Sequence, residues 1–134
     1  MAIQYAVTTR NNRLDEVTAD AGTGAYIQFW NGAVPATPVT APAGTLLASC
    51  ACSNPIAPAA SAGALTLSAV TSDTNANASG TPTFFRIATT ETGTTTGIVQ
   101  GSCAVGSGDL SIDAAIVATG TVAVSSLVIT DGSA

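Results

Sequence analysis

The chain has 134 residues, enough for one domain, and a net charge of −5 from eight acids set against Arg10, Arg13 and Arg86, with no lysine or histidine. Only 8% of residues are charged, against about a quarter in an ordinary soluble domain, so the bases, metal ligands and clustered cations that catalysis and phosphate binding draw on are scarce. This argues against direct nucleic-acid binding, and the short, interrupted apolar segments fall below the roughly 20 residues of a membrane span.

The N-terminal segment is expected to form a helix over residues 6–21. Ile3, Val7, Arg10, Leu14, Val17 and Ala21 follow the spacing of one helix face, with the aliphatic stem of Arg10 lying along the stripe. Gly22 offers a left-handed stop. Ile3, Tyr5 and Val7 also alternate, so a strand over 3–8 ahead of a shorter helix is the competing reading.

Beyond Gly24 the pattern is β. Residues 25–30 are aromatic and β-branched and end at Asn31-Gly32, a turn dipeptide. Pro35, Pro38 and Pro42 make 33–44 a loop or an edge-hugging extended segment. A second strand starts at 46–50, and Leu65, Leu67 and Ala69 alternate with Thr66 and Ser68 in a third. Further strands are expected at 83–88, 98–105 and 110–113, and the clearest alternation covers 122–130. There Val122, Val124, Ser126, Val128 and Thr130 share one face. The expected fold is mainly β: a single domain, 1–134, with a helical segment 1–22 and a β domain 23–134. The architecture is a β-sandwich, jelly roll or small barrel of about seven or eight short strands.

Cys50, Cys52 and Cys103 are too few and too odd for a disulfide framework and read as buried thiols in a reducing compartment. Asp73, Asn75, Asn77 and Ser79 place oxygens at alternate positions, but Ala78 and Phe84 stand where an EF-hand needs glycine and a carboxylate, so an Asx-turn loop is expected. Asp109, Ser111 and Asp113 form the polar face of a strand whose other face is Leu110 and Ile112. No serine or cysteine has an activating histidine or lysine, and 106–109 lacks a phosphate-loop ending. No enzyme, cofactor or metal site is expected. Trp30 reads as a core or interface anchor. Arg86 interrupts an apolar strand, either as an outward residue or as a bidentate partner for a carboxylate, in this chain or across an interface.

Three segments, 10–17 (Arg10-Asn-Asn-Arg13-Leu14-Asp15-Glu16-Val17), 26–35 and 44–48, together with Phe85-Arg86-Ile87 and the closing 122–132, give the chain a wider likeness. It resembles the capsid decoration (cement) proteins of tailed bacteriophages. That resemblance implies a mainly β homo-oligomer, dimer or trimer, that binds the shell of major capsid protein from outside and stabilises it. Such a protein is made in the host bacterial cytoplasm, ends in the virion, and touches neither nucleic acid nor membrane directly. Arg10, Arg13, Leu14, Trp30, Pro35, Pro38 and Arg86 are the interface candidates, and the helix and the 33–44 segment are the parts expected to meet other subunits. The alternative is a tail or fibre-tip component that recognises the host, with Trp30 and loop 73–81 as its binding features.

Overall fold

The N-terminal stripe is realised as a helix, α1 (Val7–Ala21), in a computed structural model that describes residues 1–132. Only the later part of the stripe packs. Leu14 and Ala21 are buried and Val17 partly so, whereas Ile3, Tyr5 and Val7 are 72%, 45% and 43% exposed. The helix stops at Gly22 (φ 63°), whose N–H bonds to Ala19 O. It is docked by polar side chains as well as by Leu14. Gly63 N donates to Asn11 Oδ1 at 2.8 Å, Ala60 N to Asp15 Oδ1 at 2.7 Å, and Arg10 Nη1 donates to Asp131 O at 2.9 Å.

Seven strands follow: β1 (Tyr26–Trp30), β2 (Leu46–Ala51), β3 (Ala64–Thr66), β4 (Phe84–Ala88), β5 (Gly97–Val105), β6 (Leu110–Ile112) and β7 (Val128–Thr130). Five form one sheet in the order β2-β1-β4-β5-β6, and β3 pairs with β7 in a second. Together they make a mainly β fold, a curled half-barrel with one N-terminal helix. All pairs are antiparallel except β5–β6, where Cys103 faces Leu110 in parallel register. A parallel return normally takes a dozen residues or more. Here 106–109 suffice, because Gly106 and Gly108 adopt φ of 71° and 94° and tighten the crossing.

One face of β1 and β4 carries Ile27, Phe29, Phe85 and Ile87 into the core, where they meet Leu14, Leu65, Ile116 and Val122. The opposite face, with Gln28, Trp30, Phe84 and Arg86, is buried too. Burial on both faces explains why these short strands are nearly continuous in apolar residues. The outer edge of β2 is closed by the loop after β3. Thr71 N bonds to Ala51 O, Asn77 N to Leu47 O, and Ser49 N to Asp73 Oδ2, which removes an open edge.

The expected strand over 122–130 is broken in two. Val122 and Val124 are buried, but the alternation slips at Ser125-Ser126, after which Leu127 is buried and Val128 and Thr130 are exposed. The cause is a change of partner: Val122 exchanges both backbone bonds with Asp73, whereas 128–130 pair with β3. Among the described residues no helix is long and apolar enough to cross a membrane.

Candidate functional site

Three long polar side chains stand side by side on the outer face of the five-stranded sheet. Gln28 of β1 faces Arg86 of β4, and Arg86 faces Gln100 of β5. Between them they reach past their strands to main-chain carbonyls of two loops, and Arg86 alone bonds to both. Gln28 Nε2 donates to Thr90 O, Glu91 O and Gly93 O at 3.0–3.1 Å, and Gln28 Oε1 accepts from Trp30 Nε1 at 3.0 Å. Arg86 Nη1 donates to Thr94 O at 2.9 Å, and Nη2 to Thr40 O at 3.1 Å and Gln100 Oε1 at 3.0 Å. Gln100 Nε2 donates to Pro35 O at 2.7 Å.

The loops 31–45 and 89–96 are therefore held by their backbones, with side chains left free to face outward. Ser49 Oγ adds a bond to Glu91 O at 2.8 Å. The seating is close: a Cβ at Gly97 would run into Pro38 O and Arg86 Cδ. Beneath the loops Trp30 and Phe84 stack with ring centroids 6.5 Å apart, and the Arg86 guanidinium lies 5.8 Å from the Phe84 ring. Outside, Val34 and Val39 are 52% and 59% exposed among alanines and threonines, with Glu91 as the charged residue of the two loops.

Arg86 corrects both sequence expectations. It is fully buried instead of outward, and its partners are carbonyl and amide oxygens, not a carboxylate. Desolvation lowers its pKa from the ordinary arginine value, but a guanidinium starts so high that it stays charged. Trp30 is 4% exposed and serves the interior, and Leu14 is a core residue of the helix. Pro35 and Pro38 are half-buried in the seated loop.

The helix arginines form a second, separate cluster. Arg10 is half-buried against Gly63 and bonds to Asp131 O. Arg13 Nε lies 3.2 Å from Asp131 Oδ2, and its guanidinium sits 4.8 Å over the Tyr5 ring. Arg13 is half-exposed, so this pair fixes orientation more than it stabilises.

The acids have local structural work. Asp73 Oδ1 accepts from Asn75 N at 2.9 Å, the Asx turn expected, while its Oδ2 caps Ser49 N. Asp109 Oδ2 accepts from Ser102 N and Ser102 Oγ, both at 2.8 Å, and the backbone bond first, then the hydroxyl, holds its carboxyl below the usual range. Among the described residues no three His, Cys, Asp or Glu side chains gather as a metal site would require. All three cysteines are free. Burial pushes Cys52 and Cys103 up to about 11, and raises Cys50 as well.

Sequence reasoning missed Gln28 and Gln100. The signal for Gln28 was the same as for Arg86, a long polar side chain inside an apolar strand. Comparison with protein-family models, curated proteins and solved structures returns no match.

Proposed function

We propose that this protein is a non-enzymatic structural component of a phage virion, a capsid decoration protein that binds the exterior of the assembled shell and stabilises it. The observation that carries this reading is the capture of loops 31–45 and 89–96 by Gln28, Arg86 and Gln100. Loops fixed through their backbones lose little further freedom when they bind. The side chains they present, Val34, Val39, alanines and threonines, have little rotamer entropy to lose and no strongly hydrated lysine to strip. The segments that resemble decoration proteins include 26–35, which leads into the first of these loops.

The host-recognition reading has less to stand on. Trp30 is buried under the loops, and Asp73 is spent on closing the edge of β2. Neither is free to meet a glycan.

Co-sedimentation with undecorated, expanded shells tests the proposal. Saturable binding at a fixed number per capsomer, with shells that then resist heat better, is the expected result. V34D/V39D should abolish it while the far-ultraviolet spectrum stays unchanged. Binding to tail particles or host cells in place of shells would overturn it.

A further inference from the structure

Asn31 ends β1 and staples the base of loop 31–45. Its N–H donates to Thr45 O at 3.2 Å, and its Oδ1 accepts from Thr45 N at 2.7 Å. The two chain segments run so close here that a Cβ at Gly44 would collide with Asn31 O and Oδ1. The next residue, Gly32, is exposed and takes φ of 84°, a conformation that favours glycine. Its N–H lies beyond the end of β1 and donates to no backbone acceptor among the described residues. A free amide nitrogen therefore follows directly on a side-chain amide whose carbonyl is already polarised by an N–H donor.

The other asparagines lack this combination. Asn11 and Asn12 sit inside α1, whose ladder engages the N–H that follows each of them. Asn54 is followed by Pro55, which has no N–H. Asn75 and Asn77 are exposed, but the next N–H groups are spent: Ala76 N donates to Gly120 O at 3.0 Å, and Ala78 N to Leu47 O at 3.2 Å. Both of those residues also carry a Cβ that crowds an attack by their own nitrogen.

We infer that Asn31 is a self-modification site, where the chain deamidates and so releases the base of loop 31–45. Hydroxide takes the proton of the Gly32 N–H, and the nitrogen adds to Asn31 Cγ. The oxyanion that forms on Oδ1 is met by the Thr45 N–H already aimed at it. The Cγ–Nδ2 bond then breaks, and Nδ2 leaves as ammonia with a proton from water, which regenerates hydroxide. A five-membered cyclic imide remains, and one water molecule opens it at either carbonyl. The product is aspartate or, with the main chain rerouted through Cγ, isoaspartate. Either adds a negative charge at the base of the loop. Isoaspartate also lengthens the main chain by a methylene, which breaks the matched spacing of Asn31 N and Oδ1 on Thr45.

The test is peptide mapping by mass spectrometry of the full chain aged at mildly alkaline pH, folded and in denaturant, beside N31Q and T45P. Circular dichroism verifies that both variants fold. In the folded chain Asn31 should exchange its amide nitrogen for oxygen at least tenfold faster than any other asparagine, with isoaspartate among the products. T45P, which removes the activating N–H, should slow this at least threefold in the folded state and leave the denatured rate unchanged. Elastase, which cuts after small apolar residues, should cleave aged protein within 33–44 at least threefold faster than fresh protein, while aged N31Q stays as resistant as fresh N31Q. A folded chain that keeps Asn31 intact while the denatured chain converts it overturns the inference. So does folded T45P converting at the parent's rate, or a converted chain whose loop resists elastase as before. Mass and cleavage report this without any shell present, so a chain that ages in this way yet ignores shells would sink the decoration reading alone.

Discussion

Arg86 and Gln100 face each other across β4 and β5, joined Nη2 to Oε1 at 3.0 Å, and each also holds one carbonyl of the same loop, Thr40 O and Pro35 O. A single cross-strand pair thus seats the Pro-rich segment on the sheet. Arg86 further ties down Thr94 on the neighbouring loop. The chain's one strand arginine works as a main-chain clamp.

Arg86→Ala should therefore destabilise the fold by about 3–5 kcal/mol, because it removes three hydrogen bonds at about 1 kcal/mol each and leaves a cavity where a fully buried side chain stood. Arg86→Lys should recover only part of this, since an ammonium lacks the planar fork that serves Thr94, Thr40 and Gln100 together. Urea unfolding measures both, and limited proteolysis should show cleavage moving into 33–44. An R86A midpoint equal to that of the parent would refute the clamp.

Leu14 is the helix residue committed to the core, at 4% exposure. Leu14→Ala should cost about 2–5 kcal/mol through lost burial and the cavity left behind. Val7→Ala, two stripe positions nearer the N-terminus and exposed, should change stability by no more than about 0.5 kcal/mol. Thermal melts of the two variants side by side test whether the stripe is anchored only in its later turns.

The Asp109 carboxyl is held below its ordinary range by Ser102. A group whose folded-state pKa is depressed contributes stability above its unfolded pKa and loses it as pH falls through the folded value. The gap between the parent and Asp109→Asn should accordingly be constant above about pH 5 and close as the pH drops below about 4. Denaturant midpoints at a series of pH values would show this. A gap that widens in acid would contradict the assignment.

With Cys52 and Cys103 pushed up to about 11, roughly one thiol in a thousand is ionised at pH 8, and the thiolate is the reactive form. In the folded protein a thiol-specific disulfide reagent should label all three cysteines slowly. In denaturant all three should react at once. Rapid labelling of native Cys52 would show that its surroundings are open.

Much of the fold was legible in the residues. The helix face through Leu14 and Ala21, the stop at Gly22, the prolines of 33–44, and the apolar cores of β1, β2, β4 and β5 are local signals. Periodicity and turn chemistry act over a few residues and need no knowledge of what lies across the sheet. The Asx turn at Asp73 belongs with them, because its partner, Asn75 N, is two residues away.

The clamped loop face was not legible, because its contacts join residues far apart in the chain. Gln28 reaches Thr90, and Arg86 reaches Thr40. Whether Arg86 pointed out or in depended on loops folding back over that face, which no alternation in 84–88 records. The same holds for 122–130, whose even alternation gave no hint that Val122 would pair with Asp73 and Val128 with Thr66. Composition and short-range pattern decided that this would be a sparsely charged β protein led by one helix. Tertiary packing alone decided which polar side chains would clamp the loops and which strand edges would be closed, since both follow from the meeting of distant backbone groups whose hydrogen bonds must be satisfied in three dimensions.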